Sequence, residues 1–178
     1  MTQEPEVILV NGQDEPVGTM GKLAAHEQGL LHRAFSVFLF DTAGRMLLQQ
    51  RAASKYHGGG LWSNACCSHP YPGEQVADAA RRRLREELGI SPEVRHIFSF
   101  TYRAEVENGL IEHEFDHVFA GTFEGDFALN KSEVAACRYL SAEALEAELR
   151  AHPEQFTQWF RLVYDRVHEL WEQHRAGA

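Results

Sequence analysis

Apolar residues occur in this chain in runs whose spacing is typical of β-strands through its middle part. The run from Ala34 to Phe40 is rich in β-forming residues, and a returning run from Arg45 to Arg51 follows the turn-forming residues Asp41 to Gly44. Two longer runs, Val94 to Val106 and Leu110 to Gly121, flank an Asn-Gly pair, which is a strong hairpin signal. The pattern therefore predicts two β-hairpins.

Helical spacing replaces strand spacing between these hairpins. A helix is predicted from about Gln75 to Leu88, because its apolar side chains recur on one face and Gly89 provides a stop. The side chains expected to face the core are those of Ala77, Ala80, Leu84 and Leu88.

The C-terminal part begins with a short predicted strand from Ala136 to Leu140 and continues as helices. Ser141 is a suitable N-cap for a helix through about Arg150, and a last helix is expected from about Thr157 to Gln173. The buried stripe of that helix is predicted at Phe160, Val163, Val167 and Leu170. This order of elements predicts an α+β fold with a mixed β-sheet sandwiched by helices.

Chain length and the absence of repeats or linkers favour one domain. The 178 residues give a predicted single domain over 1–178, with its core at about 30–140 and C-terminal helices at about 141–176. Because the longest mainly apolar stretch is Ala34 to Phe40, no membrane-crossing segment is expected. The acidic start from Met1 to Glu6 does not resemble a secretory signal.

Charge and cysteine content narrow the expected partners and compartment. A formal net charge of −9 without a basic tail argues against general nucleic-acid binding. The three cysteines include the adjacent pair Cys66 and Cys67, which argues against a disulfide framework. We expect a cytoplasmic protein without nucleic-acid or membrane partners, either a monomer or a weak homodimer.

Candidate chemistry begins in the predicted strand around residue 114. Because side chains alternate along a strand, those of Glu112, Glu114 and Asp116 share one face. The side chains of His113, Phe115 and His117 share the other face. One interpretation is an exposed acidic face opposite a half-buried one. The other is a pair of carboxylates that bind one cation.

Three histidines are further candidates, although their spacing alone is not a metal motif. His26 and His32 precede the first strand, and His69 lies in a Cys-x-His pair with Cys67. Surface histidines explain such a pair more often than a metal site does. The chain has no Cys-x-x-Cys pair, and Cys137 is distant in sequence, so a structural thiolate zinc site is disfavoured.

The segment from Ser68 to Ile90 resembles a Nudix box, Gly-x5-Glu-x7-Arg-Glu-U-x-Glu-Glu-x-Gly-U, where U is bulky and apolar. The matching positions are Glu74, Arg82, Leu84, Glu86, Glu87, Gly89 and Ile90, and the alternative is an ordinary charged helix. Ser68 replaces the first Gly, and Arg83 replaces the Glu after Arg82. Arginine at position 83 removes a carboxylate from the metal cluster that Nudix hydrolases use to activate water. It adds a guanidinium group, whose forked N–H donors bind phosphate. The helix therefore favours binding a diphosphate without hydrolysing it.

Further motifs extend the resemblance beyond this helix. The chain is similar to the type I isopentenyl-diphosphate isomerases, which belong to the Nudix superfamily, in Leu31-His32-Arg33-Ala34-Phe35-Ser36, Trp62-Ser63-Asn64-Ala65-Cys66-Cys67-Ser68-His69-Pro70, Tyr102-Arg103-Ala104 and Glu112-His113-Glu114. The resemblance implies a Nudix-type fold and the isomerisation of isopentenyl diphosphate to dimethylallyl diphosphate by protonation and deprotonation.

Residue roles follow from the same resemblance. It implies a Mn2+ or Zn2+ site formed by His26, His32, His69, Glu112 and Glu114. It implies a Mg2+ ion held by Glu87 together with the substrate's diphosphate. It also implies cationic contacts to that diphosphate from Lys22, Arg51, Lys55 and Arg83.

The resemblance places catalysis at two groups with exchangeable protons, Cys67 and Glu114. Tyr102 would donate a hydrogen bond beside them, and Trp159 would form an aromatic wall near the cationic intermediate. Two of these positions have ordinary alternatives: Cys67 as a buried small hydrophobe, and Trp159 as core packing next to Phe160.

Two other functions compete with isomerisation. A Nudix hydrolase would need a water-activating carboxylate cluster and would have no use for Cys67 or the histidine site. A non-catalytic diphosphate-binding module would explain the cations but not the Glu112 and Glu114 pair. A flavin-dependent isomerase is not indicated.

Overall fold

The computed structural model describes residues 4–177, in which nine strands form one mixed sheet and four α-helices pack against it. The strands are β1 (Glu6–Val10), β2 (Pro16–Gly21), β3 (His32–Phe40), β4 (Met46–Arg51), β5 (Trp62–Ser63), β6 (Cys66–Ser68), β7 (Val94–Glu105), β8 (Ile111–Thr122) and β9 (Val134–Leu140). The helices are α1 (Lys22–Gln28), α2 (Val76–Leu88), α3 (Ala142–Ala151) and α4 (Gln158–Ala176). The first three residues of the acidic N-terminal segment, and Ala178, lie outside the described residues.

Strand β3 is the centre of the sheet. It runs parallel to β8 from the His32–Glu114 pair to the Phe40–Thr122 pair and antiparallel to β6. The predicted hairpin with β4 is present at the Phe40–Met46 pair. Beyond that pair the two strands diverge, since β4 continues alongside β9 and β5. Parallel and antiparallel pairs in one sheet confirm the predicted mixed architecture.

Burial of β3 on both faces explains its nearly unbroken apolar sequence. Phe38 and Phe40 point into a core shared with α3 and α4, whereas Phe35, Val37 and Leu39 point into a core shared with α2. Helices therefore cover opposite faces of the sheet, which is the α+β sandwich that the sequence predicts.

The helix and turn predictions are largely confirmed. Helix α2 ends at Gly89 in a left-handed conformation, and the Ser141 hydroxyl accepts a hydrogen bond from the Ala144 amide at the start of α3. The Asn-Gly turn joins β7 to β8 as predicted.

Two of the residues predicted to face the core lie at its edge, since both pack against a core cluster but are only half-buried. Ala77 is half-buried and Ala79 is fully buried on α2. Leu170 is half-buried on α4, where Trp171 instead stacks on Phe40 with ring centroids 4.4 Å apart. None of the described helices is long and apolar enough to cross a membrane.

Candidate active site

A cavity opens where β3, β6 and β8 lie side by side, and most of the predicted site residues line it. Those lining it are Lys22, Arg51, Lys55, Cys67, His69, Arg83, Glu87, Tyr102, Glu112, Glu114 and Trp159. His26 and His32 are fully buried, and their rings lie 5.7 Å and 5.0 Å from the ring of His69. The structure thus gathers side chains from α1, α2 and the start of α4, and from strands β3, β4, β6, β7 and β8.

The histidines are oriented by backbone carbonyl groups. In His26 the Nδ1 atom lies 2.7 Å from the Lys22 carbonyl oxygen, and in His32 it lies 2.8 Å from that of Leu30. A carbonyl oxygen only accepts, so Nδ1 carries the proton in both rings and each Nε2 presents a lone pair. The Nε2 atom of His26 is buried and has no hydrogen-bond partner within residues 4–177.

These lone pairs converge with a carboxylate. Nε2 of His69 lies 3.2 Å from Nε2 of His32 and 3.1 Å from Oε1 of Glu114. Donor atoms of His26, His32, His69 and Glu114 all lie within 4.8 Å of one another. Burial lowers the pKa of His26 to about 4 and that of His69 to about 3, so both imidazoles are neutral at pH 7. Converging neutral imidazoles, one with an unpartnered lone pair, fit a divalent metal ion.

Glu112, the fifth predicted ligand, belongs to a different contact group. Its Oε1 atom lies 3.0 Å from Nε2 of His57, and these two residues form a possible ligand group with His26. Since Nε2 of His26 has one lone pair, the two groups cannot each hold an ion through it. The Tyr102 hydroxyl joins the carboxylates, lying 3.2 Å from Glu112 and 2.8 Å from Glu114.

His57 was not recognised from the sequence. It is buried, and its Nδ1 atom lies 3.3 Å from a guanidinium nitrogen of Arg51. Because Arg51 only donates, Nδ1 accepts and Nε2 carries the proton that is donated to Glu112. His57 therefore connects the carboxylate side of the cavity with its cationic side.

The cationic side contains the four predicted diphosphate contacts. Lys22 is buried deeply enough that desolvation, with the nearby charges of Lys55 and Arg51, lowers its pKa to about 8. Two carboxylates balance the group: Arg83 is hydrogen-bonded to Glu87, and Lys55 lies 2.5 Å from Glu133. Glu133, a second residue that the sequence did not indicate, therefore acts as a counter-ion at this end.

Glu87 is a buried carboxylate on the wall of the cavity. Besides the contact with Arg83, its Oε2 atom accepts a hydrogen bond of 3.0 Å from the Gln49 amide. Gln49 is itself fixed by the Ala65 carbonyl at 2.6 Å. One oxygen thus faces a cation and the other a neutral donor, so the carboxylate is held facing the cationic side.

Cys67 lies on the opposite wall, in β6, where it pairs with Ser36 of β3. Burial raises the pKa of its thiol, and the neighbouring Asp116 raises it further. The thiol is therefore protonated at neutral pH. Cys66 is buried in the core against α2, as expected for a small hydrophobe.

The acidic face of β8 is buried, so its interpretation as an exposed face was wrong. Glu112, Glu114 and Asp116 alternate with the half-buried His113, Phe115 and His117. Burial raises the pKa of Glu114, but its close contacts with the rings of His32 and His69 outweigh burial and place the pKa well below its usual range. Cys67 is thus the group that carries a proton, and Glu114 is the group without one.

Trp159 shows both of the features expected for it. It lines the cavity and also packs in the core with Phe160. The guanidinium of Arg51 lies over its ring, 5.1 Å from the centroid, so one face of the indole already contacts a cation.

Comparisons with known proteins agree in family and fold. A family model described as NUDIX domain matches residues 30–160. Isopentenyl-diphosphate Delta-isomerase 2 of Aromatoleum aromaticum is 51% identical over 175 residues, covering 98% of this chain and 93% of that protein. Isopentenyl-diphosphate Delta-isomerase of Burkholderia multivorans is 52% identical over 164 residues, covering 92% and 93%.

Solved structures share the fold at low sequence identity. A crystal structure from Deinococcus radiodurans superimposes with a TM-score of 0.74 at 23% identity, covering 90% of this chain and 98% of that one. A MutT NUDIX hydrolase from Burkholderia pseudomallei superimposes with a TM-score of 0.62 at 21% identity, covering 77% and 98%. The described residues therefore adopt a fold that is also found in hydrolases.

Proposed function

This chain belongs to the Nudix family and, within it, to the isopentenyl-diphosphate Delta-isomerases, and from that premise we propose that it converts isopentenyl diphosphate to dimethylallyl diphosphate at the cavity described above. The proposal rests on which side chains line the different walls of this one cavity. A protonated thiol and a carboxylate line it together with four cationic side chains. Isomerisation of an alkene that ends in a diphosphate needs proton-transferring groups for the double bond and cationic groups for the diphosphate.

The reaction requires one proton to enter and one to leave. Protonation of the terminal alkene carbon gives a tertiary cation, and loss of a proton from the neighbouring methylene returns its C–H electron pair as the new double bond. Cys67 and Glu114 are the proposed proton-transferring groups. Their protonation states on the two walls, thiol and carboxylate, are those that an acid and a base require.

Tyr102 and Trp159 are proposed to support this pair. The Tyr102 hydroxyl would help to orient Glu114 through the 2.8 Å hydrogen bond that it donates to the carboxylate. The indole of Trp159 adds an apolar wall beside Cys67 and helps to exclude water that would capture the cation. The cavity has a volume of only about 40 Å³, which favours a narrow site.

Metal ions are proposed at both ends of the site. His26, His32, His69, Glu112 and Glu114 would hold Mn2+ or Zn2+, and Glu87 would hold Mg2+ together with the diphosphate. When bound, these ions supply positive charge that neutralises the carboxylates and the diphosphate. Glu112 lies outside the group formed by the other four ligands, so its carboxylate would have to leave the His57 contact to join them in holding an ion.

The diphosphate is proposed to be bound without cleavage. Lys22, Arg51, Lys55 and Arg83 would hold its oxygens, and Arg83 stands where the Nudix box normally has a carboxylate. That exchange favours binding over activation of water.

Turnover of isopentenyl diphosphate by the purified protein with Mg2+ tests the function directly. We expect dimethylallyl diphosphate as the product. Release of inorganic phosphate or pyrophosphate would instead indicate a Nudix hydrolase, and binding without any change of the substrate would indicate a diphosphate-binding module.

Arg83→Glu should raise the KM for isopentenyl diphosphate by about tenfold or more, because repulsion replaces a charge-assisted contact with the head group. The matched control is Arg85→Glu, the same reversal at an exposed position of α2, whose KM should stay near that of the wild type. An unchanged KM in the Arg83 variant would contradict the proposed diphosphate contact.

A further inference from the structure

Asn64 lies in the turn between β5 and β6 and is 1% exposed. Its amide nitrogen donates to the carbonyl oxygens of Val37 and Cys66, each at 2.9 Å. Carbonyl oxygens only accept, so the nitrogen must be the atom that faces them. The orientation of the carboxamide is thereby fixed, and its oxygen faces the cavity wall.

Three donors converge on the Asn64 oxygen. The hydroxyl of Ser63 lies 2.9 Å away, the thiol of Cys67 3.1 Å and the indole nitrogen of Trp159 3.3 Å. The Thr157 hydroxyl in turn donates to Ser63 at 3.0 Å. Thr157 is the N-cap residue of α4, so the network connects the β5–β6 turn to the helix that carries Trp159.

Among the residues that the structure describes, the thiol of Cys67 has one competing acceptor, the Ser36 hydroxyl oxygen at 3.4 Å. Ser36 gives its own proton to Asp116 at 2.7 Å, so it cannot also donate to the sulfur. The shorter contact to Asn64 therefore sets the rotamer of the thiol.

We infer that Asn64 is a positioning residue for the isomerisation, whose single amide oxygen fixes the thiol of Cys67 and the indole of Trp159 relative to each other. The inference rests on the proposed function for its consequence, since it matters only if Cys67 transfers a proton. Asn64 is not among the residues that line the cavity. It acts on the substrate through the other two residues, and within residues 4–177 its amide forms no hydrogen bond with the cations proposed to hold the diphosphate.

The test is the kinetics of Asn64→Ala. We expect kcat to fall about a hundredfold, as for an active-site displacement of about 1 Å, while KM stays within about threefold. The kcat of Asn64→Asp should be at least about tenfold higher than that of Asn64→Ala. Burial favours the neutral carboxyl form, which keeps an oxygen acceptor for Cys67 and Trp159. If the alanine variant does not fold, Asn64→Leu fills the volume without an acceptor and takes its place.

Two further measurements separate positioning from general loss of stability. Leu145→Ala, on the buried face of α3, should lower the melting temperature with kcat unchanged. The alkylation rate of Cys67 in a Cys137→Ser background should rise in Asn64→Ala, because the thiol loses its acceptor and can turn into the cavity. This readout does not need isomerase activity, so it also distinguishes failure of the inference from failure of the proposed function. A folded Asn64→Ala or Asn64→Leu protein with wild-type kcat, or an aspartate variant no better than alanine, would overturn the inference.

Discussion

Cys67→Ala should slow isomerisation by about a thousandfold or more, which in a standard assay is complete loss, while pyrophosphate binds with nearly unchanged affinity. The thiol is the proton-bearing group on its wall of the cavity, since its pKa is raised by burial and by Asp116. Neither neighbour replaces it: the Ser36 proton is committed to Asp116, and Asn64 presents an oxygen acceptor. Removing the sulfur leaves the diphosphate contacts on the opposite side in place.

Turnover by product analysis and pyrophosphate affinity by calorimetry measure the two halves of this expectation. Cys137→Ala is the matched control, because it makes the same exchange on β9, in a side chain packed against the α2-side core. It should turn over normally. Normal turnover in Cys67→Ala would remove the thiol from the mechanism.

The longer elements could be predicted from the sequence because their burial is periodic. Strand β3 is apolar at nearly every position, which reflects its burial on both faces, and α2 ends at a glycine with φ of 68°. Each of these features is local and is encoded within about ten residues. The same rules explain why the β7–β8 turn was recognised.

The N-terminal elements and the shortest strands lacked such a signal. Strand β2 is mostly exposed and alternates neither in polarity nor in burial, whereas β5 has only two residues. Their conformation depends on neighbours distant in sequence. Helix α1, for example, is fastened by Glu4, whose carboxylate accepts a 2.6 Å hydrogen bond from the Leu23 amide.

The candidate site shows a similar division. Alternation along β8 correctly placed Glu112 and Glu114 on one face, but only the packing of the sheet decides that this face is buried. His57 and Glu133 carry no motif of their own, since each gains its role from a partner across the cavity. Asn64 stands inside a recognised motif, yet its hydrogen bond to Val37 spans 27 residues and depends on the pairing of β3 with β6.

Glu114→Gln should abolish turnover and also reduce the retained Mn2+ or Zn2+, because one carboxylate is proposed to serve as base and as ligand. The substitution preserves size but removes the charge that accepts the Tyr102 hydrogen bond at 2.8 Å and that lies 3.1 Å from Nε2 of His69. Loss of a general base costs about 10²- to 10⁴-fold in rate. The matched control is Glu105→Gln, an exposed glutamate on β7, which should leave both measurements unchanged.

The two proposed roles of Glu114 can be separated by adding metal. Metal content after dialysis, measured by mass spectrometry, reports the ligand role, and turnover in excess Mn2+ reports the proton-transfer role. If excess ion restores the metal content but not the turnover, the carboxylate is needed for proton transfer as well as for binding. Full turnover with restored metal would limit Glu114 to holding the ion, and the base would then have to be sought among the other buried carboxyl groups of the same strand face, Glu112 and Asp116.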